Sequence, residues 1–135
     1  MPSSWDYSWE GALQLLLAVV LGALIGLQRE LHRKPAGVAT ISIVTLASTL
    51  VMQISERIGA AGFAALDPTR LGAAVITGIG FLGAGVILRT GMHVQGITTA
   101  ALIWLMACVG LGLGAGYYTA ALVAVALTWL VLLLD

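Results

Sequence analysis

The stretch "TGIGFLGAGVILR", residues 77–89, decides how this chain folds. Within it Gly78, Gly80 and Gly83 have the GxGxxG spacing of a dinucleotide-binding loop. Such a loop needs a strand before it, a helix after it and an acidic residue about 20 positions further on to hold a ribose. Here "RLGAAVI" upstream continues the same apolar run, and "TTAALIW" lies downstream. The phosphate-cradle reading fails on that context. A membrane helix explains the glycines better, because small residues let helix backbones approach closely and gain dispersion contacts.

Turning about 100° per residue, such a helix carries Gly78 and Gly85 on one face and Gly80 and Gly83 roughly opposite. A helix smooth on two sides is expected at the bundle centre, or against the bundle on one flank and a second protomer on the other. On this reading Gly80→Leu disrupts the fold or the assembly, since leucine overfills a close crossing. Gly22 and Gly26 form a GxxxG pair further upstream, and Gly110, Gly112, Gly114 and Gly116 crowd another segment; both are signs of close packing.

Composition agrees with a membrane fold. The chain has 135 residues, 60% hydrophobic and only 9% charged, and its mean hydropathy is +1.05. A soluble domain carries about 25% charged residues. The formal net charge of zero gives no electrostatic footprint for nucleic acid. Cys108 is the lone cysteine and has no intramolecular disulfide partner.

Stretches free of Asp, Glu, Lys and Arg run over 11–28, 35–55, 71–88 and 91–134, and a spanning helix needs about 20 apolar residues. The last stretch is long enough for two spans, with "GLGLGAGYY" as a glycine-rich reversal near its middle. The expectation is one domain over 1–135, all-α and integral to the membrane, with five transmembrane helices at about 10–29, 36–56, 69–89, 95–114 and 117–134. The N-terminus lacks the basic region of a signal peptide, so the first helix is expected to be retained.

Arg29, Arg33, Lys34 and Arg89 fall in connections on one side of such a bundle, Arg57 and Arg70 on the other. The lysine and arginine bias places the first group in the cytoplasm, with the N-terminus outside and the C-terminus inside. Trp5, Tyr7, Trp9, Tyr117 and Tyr118 then form an outer aromatic belt, and Trp129 an inner anchor. Trp104, in mid-helix, reads as a packing residue.

Polar side chains are few and patterned. Ser42, Thr45, Thr49, Gln53 and Glu56 recur at helical spacing with Ser48 adjacent, forming one stripe on the second helix. A polar stripe in lipid faces protein or water, so it serves either interhelical hydrogen bonds or a ligand-lining surface. In "LDPTR", Asp67 suits an N-cap, Pro68 the first helical position, and Arg70 is near enough to pair with Asp67. His32 and His93 fall in connections and read as solvated. Mg²⁺ takes oxygen ligands, usually one or two carboxylates with retained waters. Glu30 and Asp67 are the candidate metal ligands, and the expected topology puts them at opposite membrane faces. No paired carboxylates, zinc-ligand spacing, nucleophile elbow or P-loop is present, so neither an enzyme nor a resident cofactor is expected.

The blocks "GALIGLQREL" (22–31), "KPAGVAT" (34–40), "DPTRLGAAVITGIGFLGAGVIL" (67–88) and "VQGITTAALIWLMACVGLGLGAG" (94–116) together resemble the membrane domain of the MgtC/SapB family. The resemblance covers residues 12–134. It implies a multi-pass protein of the bacterial inner membrane, linked to magnesium homeostasis, growth in low magnesium and, in pathogens, survival within macrophages. It implies a modulator of other membrane machinery, including the proton-translocating ATP synthase. The partners expected are the lipid bilayer and either further copies of the chain or a membrane protein; a small oligomeric channel or carrier for Mg²⁺ or another ion is the alternative. Members often add a cytoplasmic ACT-like domain, so this chain is expected to be a short member or to lack that part.

Carried onto matching positions, the family motif comprises Glu30, Lys34, Pro35, Asp67, Arg70, Gly78, Gly80, Gly83 and Gly85. The chain departs from the family's usual Glu-Arg-Glu at Gln28-Arg29-Glu30, and from its Leu-Arg-Thr-His at residues 38–41. One acid and one base are missing together, as expected if they pair in relatives.

Overall fold

The computed structural model describes residues 9–62, 67–90 and 92–134; Trp5, Tyr7 and Asp135 lie outside them. The chain forms α1 (Trp9–Leu31), α2 (Val38–Ala60), α3 (Thr69–Val86), a two-stranded hairpin of β1 (Leu88–Thr90) and β2 (His93–Gln95), α4 (Ile97–Gly114) and α5 (Tyr118–Leu133). The first four helices are each long and apolar enough to cross a membrane, while α5, with 16 residues, is a shorter apolar helix.

The centre of the bundle is α2 and α4, with α1 packed on α2 and touching α4, α3 beside α4, and α5 packed on α4 and α1. Glycines set these approaches. A Cβ at Gly22 would stand 2.7 Å from Ser42 Cα, and one at Gly26 would collide with the Val38 backbone. On α4, a Cβ at Gly110 would collide with the Thr45 carbonyl oxygen, and one at Gly114 would lie 2.6 Å from that of Thr49. Both GxxxG pairs therefore grip α2, one from α1 and the other from α4. Around them close Ala18, Leu21, Ile25, Ile41, Leu102, Met106 and Leu113.

The expectation for α3 is overturned in one of its two forms. The helix is peripheral, and only Gly72, Ile79 and Gly83 of its residues are buried. Gly83 meets α4 with its Cβ position 3.6 Å from Ala100 Cβ, whereas Gly78, Gly80 and Gly85 have nothing within 4 Å of theirs. Two smooth faces show that a helix is able to be approached from both sides; the folded chain uses one. Gly80→Leu consequently meets open space within the chain. Trp104 also departs from its reading as a packing residue: it is 47% exposed, on the outside of α4, where an indole packs against lipid as readily as against protein.

The third helix also stops short of the expected 69–89. Ile87 is extended (φ −84°, ψ 114°), and the chain turns into the hairpin, pairing Leu88 with Gln95 and Thr90 with His93. The hairpin returns the chain to the start of α4 through Gly96 at φ 91°. A Cβ there would collide with the Val86 carbonyl oxygen, so both the left-handed conformation and the close approach require glycine. The reversal between α4 and α5 is a Schellman turn: Tyr117 N–H donates to Gly112 O (2.8 Å) and Gly116 N–H to Leu113 O (3.0 Å), with Gly116 at φ 85°.

Candidate functional site

The middle of the polar stripe of α2 is a closed seam, while Gln53 is half-buried and Glu56 exposed. Thr45 and Thr49 have no exposed surface, and Ser48 is buried. The Thr45 and Ser48 hydroxyls donate to the carbonyls of Ile41 and Val44, one turn back, both at 2.8 Å, and the Thr49 hydroxyl shares its one proton between Thr45 O, one turn back at 2.9 Å, and α4. Thr49 Oγ1 also lies 2.9 Å from Gly110 O across the helix pair. The stripe thus returns its hydroxyls to backbone and is closed over by α4. Of the two readings of the stripe, interhelical bonding describes Thr49, and also Gln53 and Ser42, which reach α1. Ser42 Oγ lies 3.5 Å from Val19 O.

Gln53 belongs to a network at one end of the bundle. Its Nε2 donates to Gly11 O (2.8 Å) and Gln14 Oε1 (2.7 Å). Gln14 Nε2 donates to Tyr118 Oη (3.0 Å), whose hydroxyl donates to Glu10 Oε1 (3.1 Å). Three helices are tied by this chain, and Gln14 is its hub. The hub escaped sequence reasoning, although an amide set in the apolar run of a membrane helix was the available signal.

At the other end the "REL…KPAG" residues form a rigid corner. Arg33 (φ 52°) and Ala36 (φ 57°) take left-handed conformations on either side of Lys34 and Pro35, a region that non-glycine residues visit rarely. Glu30 Oε1 accepts the Val38 N–H at 2.9 Å, capping α2 from the end of α1, where a negative charge suits the helix dipole. Arg29 is buried and its Nη2 donates to Thr99 Oγ1 at 2.8 Å on α4. Gln28 is buried with its Oε1 unpartnered among the described residues, while Ala39 is exposed.

Asp67 Oδ1 accepts both the Thr69 N–H (2.9 Å) and the Thr69 hydroxyl (2.8 Å). Pro68 already has helical angles (φ −58°, ψ −24°), so Asp67 serves as the cap. The two Thr69 bonds hold its carboxyl below the ordinary carboxylate range, with a smaller pull from the Arg70 charge. Ser55 Oγ bonds the Pro68 carbonyl, fixing this corner to α2. Glu30 and Asp67 are therefore both helix caps. The 23-residue α2 separates them, a length of about 34 Å, and they do not share a cation site.

A family model described as the MgtC family matches residues 15–135. The chain belongs to the MgtC family. MgtC-family relatives include an uncharacterized protein of Haemophilus influenzae, 48% identical over 118 residues, covering 82% of this chain and 49% of the relative. Protein SapB of Bacillus subtilis is 42% identical over 122 residues (85% and 52%), and Protein MgtC of Salmonella typhimurium 40% over 112 residues (83% and 46%). The chain spans about half the length of these relatives. No solved structure matches it.

Membership makes this a multi-pass inner-membrane protein, in a family linked to Mg²⁺ homeostasis and, in some members, to virulence. MgtC-family proteins are not known enzymes. Among the described residues no three His, Cys, Asp or Glu side chains are grouped to hold a metal ion.

Proposed function

We propose that this MgtC-family chain acts in magnesium or ion homeostasis as a modulator. It would bind a transmembrane helix of another membrane protein, and it would not conduct ions through its own bundle. The observation that carries this reading is the closed α2–α4 seam. The polar side chains deepest in the bundle, Thr45 and Thr49, are fully buried and hydrogen-bonded to backbone, which leaves no polar lining for an ion at that level.

The open side of α3 is where the partner would dock. Gly78, Gly80 and Gly85 face unfilled space, Phe81 is 82% exposed, and a shallow apolar groove of about 310 Å³ runs between α2 and α3 beside Gly78. Small residues flanking an exposed aromatic suit a close helix–helix crossing in lipid. The positive-inside bias supports five spans with the N-terminus outside and the C-terminus in the cytoplasm, and family resemblance makes the proton-translocating ATP synthase one partner to examine. An Mg²⁺ path, the alternative, would have to run between copies of the chain.

Two measurements test the proposal. In liposomes the purified chain should not dissipate an Mg²⁺ gradient; uptake abolished by Glu30→Ala or Asp67→Ala would overturn it. A photocrosslinker in place of the exposed Phe81 in native membranes should capture one defined membrane protein, lost with Gly80→Leu. Capture of a second copy alone would replace the modulator reading with a homo-oligomer.

A further inference from the structure

We infer that the end of the bundle formed by α1, β2 and α4 binds an anionic phospholipid, with its phosphate held in a basic chamber and one acyl chain in the groove between α4 and α5. Two cavities that share Thr98 in their linings carry this inference.

The first is a chamber of about 420 Å³, lined by Arg29, Lys34 and Pro35 on one side and residues 94–99 on the other. Its described lining holds two cationic side chains and no carboxylate. The nearby Glu30 is engaged with the Val38 N–H. Arg29 is 3% exposed and is braced by Thr99, so its guanidinium is fixed in place, and this group matches a phosphate in geometry and charge. The chamber also includes the first turn of α4, which Gly96 precedes without a side-chain cap. The first helical bond is donated by Ala100 N–H to Gly96 O, so the N–H groups of Ile97, Thr98 and Thr99 come before it, and these attract anions.

The second is an apolar groove of about 450 Å³ that begins at the same Thr98 and continues past Ala101 and Leu105 of α4, with Leu127 and Val131 among its α5 walls. Leu127 and Val131 are 57% and 63% exposed, so the groove opens sideways to lipid. From Thr98 to Leu105 it descends about 10 Å, roughly two-thirds of one leaflet's hydrocarbon depth. A free phosphate would use the chamber and leave the groove without a role. An apolar peptide would use the groove and not the chamber. A molecule with a negative head and a hydrocarbon tail fits both, and basic pockets between membrane helices bind such heads. Zwitterionic lipids share the phosphate but bring a cation toward Arg29 and Lys34, which favours net-anionic lipids.

The test uses the full chain in detergent, with native mass spectrometry counting retained lipid. Phosphatidylglycerol should be retained in preference to phosphatidylcholine. Lys34→Gln should lower phosphatidylglycerol retention about fivefold, the loss of one surface cation, and leave phosphatidylcholine unchanged. Arg33→Gln removes the same charge from the same connection but not from the chamber, and should have little effect. Ala101→Trp or Leu127→Gln, at exposed groove positions, should lower retention with the far-UV circular dichroism unchanged. Millimolar inorganic phosphate should not compete. The inference is overturned if phosphatidylcholine is retained equally, if Arg33→Gln and Lys34→Gln act alike, if neither groove variant matters, or if inorganic phosphate displaces the lipid, which would leave an anion pocket only.

Discussion

Replacing either of two glycines on α4, only two residues apart, should have effects of opposite sign. At Gly110 a Cβ would collide with Thr45 O and lie 2.8 Å from Ser48 Cβ, against an optimal carbon–carbon separation of about 3.5–4.0 Å. Relief requires α4 to move from α2 by about 1 Å, and such overpacking costs about 1–3 kcal/mol. The same movement strains the Thr49–Gly110 hydrogen bond, worth about 0.6 kcal/mol in a membrane protein. Alanine regains about 1 kcal/mol of helix propensity over glycine, which offsets part of the loss. At Gly112 nothing lies within 4 Å of the Cβ position, so only the propensity gain of about 1 kcal/mol remains. Gly110→Ala should thus be less stable than Gly112→Ala by about 1.5–3.5 kcal/mol. Unfolding both variants with sodium dodecyl sulfate in mixed micelles, followed by far-UV circular dichroism, measures the difference. Equal stabilities, or a more stable Gly110→Ala, would refute the packing of α2 against α4.

Glu30→Ala should cost about 0.5–2 kcal/mol through the lost cap on Val38, and Glu30→Gln, which keeps a side-chain oxygen, should cost much less; equal losses in the same titration would mean that capping is not its role. Asp67 is held below its ordinary value of about 3.8, so its cap contributes fully above that value and is lost as pH falls through the lowered one. The thermal midpoint of the wild type should therefore drop on acidification below about pH 4 by more than that of Asp67→Asn, and parallel profiles would remove the cap argument. Gly80→Leu should leave the purified chain at least as stable as the wild type, because its Cβ position meets nothing within 4 Å and leucine regains helix propensity over glycine; a large loss of stability would return α3 to the bundle centre. Gln53→Leu, which strips the donor from Gly11 O and Gln14 Oε1, should cost about 1–3 kcal/mol, read by the same titration.

Much of this architecture was legible from residue spacing. The apolar runs located the helices, the Gly22–Gly26 pair and the glycines from 110 to 116 marked close packing without naming the helix they meet, and "LDPTR" announced its own cap. The placement of α3 was not legible, because a missing side chain records that a neighbour could come close and says nothing of whether one does. Arg89 lies in β1, not in α3; three-residue strands are too short to show alternation, and the apolar run through Leu88 masks the helix end. The Arg29–Thr99 bond joins residues 70 positions apart, and the hub role of Gln14 depends on Tyr118, 104 positions away. Contacts of that span arise from tertiary packing and leave no local pattern.

The grip of α1 and α4 on α2 has a consequence for sequence drift. The glycines of α1 and α4 rest largely on the backbone of α2, those of α1 at Val38 and Ser42 and those of α4 at Thr45 O and Thr49 O. A main chain looks the same whatever residue it carries. Side chains of α2 should therefore be exchangeable among chains that share this bundle wherever their polarity permits, while Gly22, Gly26, Gly110 and Gly114 should resist replacement. The helix with the most distinctive residues would then hold the least of the information that keeps the bundle together.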